Sequence, residues 1–250
     1  MAILWQHHSA EHHYKVTQAG RSVRLYRNGV LHSQWNPAAP LSGHLWELFL
    51  LTSMGAVSPP QQVCVLGVGG GTVINLIQYL FPQAKIDGVD FDALHLFAAN
   101  EFFNIQNCRL YHDDASRWLH NNSHKRYDLI IDDIFSELAS VPVRARIIDH
   151  QWLHTTLAML TSNGTLVMNL ADHSEWTRTR RELSSSARFQ TYQCALARHY
   201  RCDNRIITMA RRDLSGSRIR HQLTAGGHSK MLAYLNKGIF HYRRVKSLHA

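Results

Sequence analysis

After Pro60 the chain alternates short apolar runs with helix-like segments, and this alternation constrains the fold more than any other feature. Val63–Val68, Lys85–Asp90, Arg109–His112, Tyr127–Asp132 and Thr165–Leu170 read as strands. The first is apolar along its length, as expected of a strand covered on both faces. Between and after them, Thr72–Phe81, Ala93–Phe103, Ala115–His120, Val143–Leu160 and Glu175–Ser186 read as helices, with Pro82 stopping the first and Asn163-Gly164 closing the fourth. Strands alternating with helices imply right-handed crossovers and a mainly parallel sheet. Two further runs, Thr191–Ala197 and Arg205–Ala210, have no helix between them, so one of them runs antiparallel. The predicted architecture is a doubly wound, mainly parallel, seven-stranded α/β sheet over residues 61–213.

A different pattern precedes it in residues 1–60. Arg21–Tyr26 and Val30–Trp35 flank Arg27-Asn28-Gly29, and Asn-Gly between two strand-like runs signals a hairpin. Asn36–Pro40 breaks the second strand, Leu41–Met54 reads as a helix, and Ser58-Pro59-Pro60 ends the module. Residues 214–250 form a less regular, basic extension with a helix near Ser229–Leu235.

The formal charge of +9 is unevenly spread. Asp87–Glu137 holds ten acidic and four basic residues, whereas Arg178–Ala250 holds sixteen basic and three acidic ones. An acidic middle suits a small cationic ligand; a basic C-terminal third suits nucleic acid or a membrane surface, or is simply a solvated face. No apolar run approaches the ~18 residues of a membrane span, and Met1–Tyr14 has no apolar signal core. Cys64, Cys108, Cys194 and Cys202 form no CxxC pair and read as free thiols of a cytoplasmic protein. His7, His8, His12 and His13 have no Cys or acidic ligand set to match them, so they read as a solvated tail, and no metal site is expected.

The chemistry concentrates at the strand ends. Gly67, Gly69, Gly70 and Gly71 lie between the first parallel strand and the helix from Thr72. Glycines there let backbone approach a ligand, and a helix N-terminus supplies unpaired N–H groups. Asp90 ends the second strand, nineteen positions after Gly71, where a carboxylate accepts from ribose hydroxyls. Asp113 ends the third, where a carboxylate can accept from an adenine amino group. Glycines, Asp90 and Asp113 at three successive strand ends predict an adenosine site at the carboxyl edge of the sheet.

Together with Leu25–Leu31, Val89-Asp-Phe-Asp92, His112–Leu119 (which adds Asp114) and Tyr127–Asp133, these residues make the chain resemble the spermidine synthase-like family of class I S-adenosylmethionine-dependent transferases over roughly Val23 to Arg211. The resemblance implies S-adenosylmethionine or its decarboxylated form as cofactor, bound by Gly67, Gly69, Gly70, Gly71, Thr72, Asp90, Asp113 and Asp114. It also implies a small cationic amine as acceptor, and a homodimer joined through the hairpin. Departures accompany it. Thr72 follows the glycines where the family has Asp, Phe135 replaces a second acidic residue after the fourth strand, and His32 stands for a glutamine.

Transfer from a sulfonium needs donor and acceptor in line and the acceptor nitrogen unprotonated. Asp132, ending the fourth strand, is the predicted catalytic carboxylate and Asp133 the runner-up. A neutral Thr72 does not repel the carboxylate of intact S-adenosylmethionine, which favours methyl over aminopropyl transfer. Aminopropyl transfer and a non-catalytic adenosyl-binding protein stay open as alternatives.

Overall fold

The computed structural model describes residues 1–9, 12–54, 58–138 and 141–246; parts of the predicted N-terminal module and the last four residues of the C-terminal extension lie outside them. The N-terminal module is an antiparallel meander of four strands, β1 (Ala2–His8), β2 (His13–Ala19), β3 (Ser22–Arg27) and β4 (Val30–Trp35). The predicted hairpin is β3–β4: Asn28 and Gly29 have φ of 49° and 82°, the left-handed pair that a two-residue turn requires. The His-rich segment is not a tail. It forms β1 and β2 because β2 turns Tyr14 and Val16 inward, and Val16 packs with Leu25, Ala98 and Phe103. The histidines sit on and around this scaffold, with the His8 and His13 rings stacked at 3.9 Å.

The predicted helix over Leu41–Met54 is instead a 3-10 turn, Leu45–Phe49, followed by α1 (Leu51–Met54). The N–H groups of Ser42, Gly43 and His44 all donate to Oε1 of the buried Glu47, at 2.7, 2.7 and 3.0 Å, and this wraps the segment around a carboxylate instead of into a helix. There follow β5 (Gln62–Leu66), α2 (Thr72–Leu80), β6 (Lys85–Asp90), α3 (Ala93–Phe102), β7 (Cys108–His112), α4 (Ala115–Asn121) and β8 (Tyr127–Asp132). Next come β9 (Phe135–Leu138), β10 (Val141–Arg144), α5 (His150–Ala158), β11 (Leu160–Leu170), α6 (His173–Ser184), α7 (Ala187–Gln190), β12 (Gln193–His199) and β13 (Arg205–Ala210). The chain ends with α8 (Gly216–Ala225), α9 (Ser229–Asn236) and β14 (Phe240–Arg244).

The main sheet runs β14-β12-β13-β11-β8-β5-β6-β7. Strands β7, β6, β5, β8 and β11 are parallel; β13 is antiparallel to β11, β12 to β13, and β14 to β12. The seven predicted strands are all present, and the basic extension adds an eighth. Alternation along the strands sends Val63, Val65, Ile86, Leu129 and Ile131 to one face, against α2, α8 and α9. Cys64, Leu66, Ile130, Leu166 and Met168 go to the other, against α4, α5 and α6. No helix among the described residues is long and apolar enough to cross a membrane.

One sequence expectation fails next to the carboxyl edge. The segment read as the start of a helix at Val143 is the hairpin β9–β10, and α5 begins only at His150. Asp149 sets that start by accepting from the Trp152 N–H at 2.8 Å as N-cap. The helix stops at Ala158, and Asn163-Gly164 lies inside β11 where the pairing with β8 is irregular.

Candidate active site

At the tip of β5 the chain passes through Gly67, Gly69 and Gly71 with φ of 87°, 54° and 86° before entering α2. Gly67 is required twice over. Its φ is left-handed, and a Cβ there would lie 2.2 Å from the Asp133 carbonyl oxygen, since the backbone after β8 crosses directly beside it. Gly70 meets the N-terminal module, its N–H donating to Ser33 Oγ at 2.7 Å. Ser33 reaches this position because the β3–β4 register skips His32, a bulge that re-aims the end of the strand.

Asp90 organises the loop from the side. Its Oδ2 accepts from the N–H groups of Val68 and Gly69 at 2.8 and 2.9 Å, and its Oδ1 from that of Asp92 at 2.9 Å. Burial raises its carboxyl, but the His95 imidazole and these N–H donors outweigh that and hold it below the usual range. His95 lies between Asp90 and Asp92, 3.7 Å from each; burial pulls its pKa down and the two carboxylates pull it up more strongly. Asp92 also accepts from the Tyr14 hydroxyl at 2.6 Å and pairs with Arg27 at 3.6 Å. Two residues of the meander are thereby fixed to the start of α3.

Thr72 lines the cavity but commits its hydroxyl elsewhere. Its Oγ1 accepts from Gln34 N at 2.9 Å and donates to Gln34 O at 3.1 Å. Asp113 pairs with Arg117, and Asp114 caps α4 by accepting from Arg117 N at 3.0 Å. Both still line the cavity with Asp90.

The two carboxylates after β8 part company. Asp132 is fully buried; both its oxygens accept from Arg144 Nη2, at 2.9 and 2.8 Å, and Oδ2 also accepts from Trp152 Nε1 at 2.8 Å. It is absent from the cavity wall. The two side chains thus go to different places: Asp132 anchors the β9–β10 hairpin, through Arg144, onto β8 and α5. Asp133 points the other way and lines the cavity. Its Oδ1 accepts from Asn169 Nδ2 at 2.7 Å, and Asn169 Oδ1 accepts in turn from Asn204 Nδ2 at 3.0 Å. Burial pushes the Asp133 carboxyl up to about 6, the Asn169 bond opposing this and the Asp132 charge adding to it.

Gly67, Asp90, Asp113, Asp114 and Asp133 line one cavity of about 640 Å³ along the carboxyl edge, within the range of small-molecule sites. The strand tips carrying Gly67, Asp90, Asp113 and Asp114 form one end. Asp133, Asn169, Asn204 and the hairpin residues Phe135, Ser136 and Pro142 form the other. Val30, Leu31, His32, Leu45 and Trp46 of the N-terminal module roof it. Of these, Asn169 was legible as a polar residue near the end of an apolar strand run, whereas Asn204, His95, Ser33 and Arg144 carried no sequence signal. Among the described residues no cluster of His, Cys, Asp or Glu could hold a metal ion.

No family model matches the chain. A polyamine aminopropyltransferase of Vibrio vulnificus is 28% identical over 115 residues, 44% of this chain and 38% of that protein. An eEF1A lysine and N-terminal methyltransferase of Xenopus laevis is 29% identical over 133 residues, 49% of this chain and 19% of that protein. The matched segments thus span well under half the length of these relatives. Among solved structures, a probable spermidine synthase from Corynebacterium glutamicum superposes with a TM-score of 0.72 at 16% identity, over 98% of this chain and 91% of that one. The fold is spermidine synthase-like. Human methyltransferase-like protein 13, solved with S-adenosylhomocysteine (SAH), shares the same α/β core with a TM-score of 0.60 at 18% identity, over 75% of this chain and 90% of that one.

Proposed function

We propose that the protein is an S-adenosylmethionine-dependent methyltransferase acting on an amine nitrogen. The observation that carries the reading is Asp133: a cavity-lining carboxylate at the tip of β8, oriented by Asn169 and beside the glycine loop. In this reading the adenosyl group lies across Gly67–Gly71, with its ribose toward Asp90 and its adenine toward Asp113 and Asp114. The sulfonium then sits between the β5 and β8 tips. The acceptor lone pair attacks the methyl carbon, the C–S bond breaks with its electron pair going to sulfur, and the nitrogen's proton passes to Asp133. Supporting the donor choice, Thr72 brings no charge to the position and its hydroxyl is already bonded to Gln34. The methyltransferase relative acts on lysine and N-terminal amines according to its name.

Aminopropyl transfer from decarboxylated S-adenosylmethionine is the second reading, favoured by the aminopropyltransferase relative and by the superposition on a probable spermidine synthase. The donor separates them. Calorimetric titration is expected to give at least tenfold tighter binding of S-adenosylmethionine than of its decarboxylated form. The reverse order transfers the assignment to aminopropyl transfer, and binding of neither removes both.

A further inference from the structure

A buried histidine joins the donor end of the cavity to the N-terminal module. His95 stands in the first turn of α3, after the N-cap Asp92. Side chains on a helix lean toward its N-terminus, so the His95 ring falls back over the end of β6. There it lines the cavity, with Nδ1 3.7 Å from Asp90 Oδ2 and Nε2 3.7 Å from Asp92 Oδ2. Each of those oxygens has a second duty. Asp90 Oδ2 holds the N–H groups of Val68 and Gly69 in the glycine loop; Asp92 Oδ2 takes the Tyr14 hydroxyl and pairs with Arg27. The meander sets further titratable groups around the ring. Tyr14 of β2 lies edge-on at 5.8 Å and the His32 ring of β4 is 5.0 Å away, while Arg27 of β3 is itself bonded to His12.

A neutral imidazole carries one N–H and one lone pair. Set between two carboxylate oxygens, it turns its N–H to one and its lone pair to the other. The imidazolium turns an N–H to both. Arg27 supplies a second cation, but on the Asp92 side. A helix N-terminus disfavours a cation, so it is the two buried carboxylates that favour one here. Burial lowers the His95 pKa, and the carboxylates raise it by more, to above the ordinary 6.5. Resting on the reading that the donor's ribose lies toward Asp90, we propose that His95 is a positioning residue. As the imidazolium it holds Asp90 on the glycine loop and Asp92 on the meander, and donor affinity falls when the ring loses its proton. A lone pair then faces one carboxylate, which turns away. A turned Asp90 releases Val68 and Gly69, and a turned Asp92 releases Tyr14 and Arg27. Either movement loosens the glycine loop, the first directly and the second through the meander that braces it at Ser33.

The probe is 5′-methylthioadenosine, an adenosyl thioether without the titratable amino-acid tail of SAH. Its affinity for the full chain is measured by calorimetry from about pH 7 to about pH 9, above the value of about 6 at which Asp133 titrates. Affinity is expected to fall at least fivefold over that range. His95→Gln, which has no proton to lose, is expected to bind weakly with no slope. NMR titration of the His95 ring in the parent needs no variant. Because linkage is reciprocal, a probe that binds the protonated form better must raise the His95 pKa. A flat parent profile, or a His95 pKa that the bound probe leaves unmoved, overturns the inference while the donor reading stands. So does a slope that survives His95→Gln, which gives the titration to another group such as His32. No binding of the probe at any pH overturns the donor reading at Asp90 and the positioning role with it.

Discussion

At the scale of single residues, Asp132 and Asp133 are adjacent in sequence and opposite in consequence. Successive side chains at a strand end point to opposite sides, so one carboxylate goes to Arg144 and Trp152 and the other to the cavity. Asp132→Asn leaves the buried Arg144 guanidinium without its counter-charge. Breaking such a pair costs about 3–5 kcal/mol, and denaturant unfolding should show a loss of that order. Asp133→Asn is expected to lower turnover about 10²–10⁴-fold while leaving SAH affinity within about twofold of the parent. A wild-type rate in that variant would remove Asp133 from the mechanism. The pH dependence follows from the raised carboxyl. The proton-accepting form is the ionised one, so kcat/KM should fall as pH drops through about 6. Asn169→Leu removes the bond that opposes the shift and should move this limb to higher pH. Because the folded-state value lies above the ordinary carboxyl value of 3.8, ionisation of Asp133 opposes folding. That penalty is present in full above about 6 and is relieved as pH falls toward 3.8. Asp133→Asn should therefore be more stable than the parent at neutral pH while being less active, a combination that a purely structural role would not produce.

At the scale of elements, the glycine loop and the segment after β8 form one unit, since Gly67 leaves room for the Asp133 carbonyl. Gly67→Ala imposes a left-handed strain of about 1–2 kcal/mol and a collision that displaces the Asp133 backbone. SAH binding should weaken at least tenfold in calorimetry. Gly29→Ala is the control: its φ of 82° carries the same strain, but a Cβ there meets nothing within 4 Å, so affinity should be unchanged. The elements that were legible in sequence share a cause. β5 and β8 are dense apolar runs, and Asn28-Gly29 can hardly be anything but a tight turn. The elements that were not legible depend on long-range partners. β1 and β2 carry the His-rich segment, and β2 is held as a strand because Val16 packs with Leu25 of β3, Ala98 of α3 and Phe103 just after it. The end of β10, Val143-Arg144, reads locally as the start of a helix because the Arg144–Asp132 pair that folds the hairpin back is a contact absent from any local pattern. The same pair sets where Asp132 points. Position at a strand end was visible in the sequence, but the direction of the side chain depended on Arg144, which the sequence reading had put in a helix.

At the scale of the whole molecule, the three predicted segments are stitched into one body. The meander is tied to the glycine loop and α2 by Ser33–Gly70 and Gln34–Thr72, and to α3 by Tyr14–Asp92. The basic extension is tied in as well. Its helices α8 and α9 cover one face of the sheet, and β14 extends the sheet beyond β12. Tyr234 donates to the Leu41 carbonyl at 3.3 Å, and Tyr242 to that of Leu214 at 2.9 Å. Just before the extension, Arg212 donates to Thr165 Oγ1 and the Thr52 carbonyl at 2.7 and 2.9 Å. The meander's contacts fall on the very loop that would hold the donor, so ligand binding and module docking share residues. We therefore expect one cooperative unfolding transition in which the meander does not melt first. Tryptophan fluorescence can report it from two places, with Trp5 and Trp35 in the meander and Trp118, Trp152 and Trp176 in the sheet domain, using variants that keep one group or the other. The two midpoints should coincide, and SAH at about a hundred times its Kd should raise the unfolding free energy seen by both probes by about 2.7 kcal/mol. A meander signal that melts earlier and ignores the ligand would mean that Ser33, Gln34 and Tyr14 decorate the loop without supporting it.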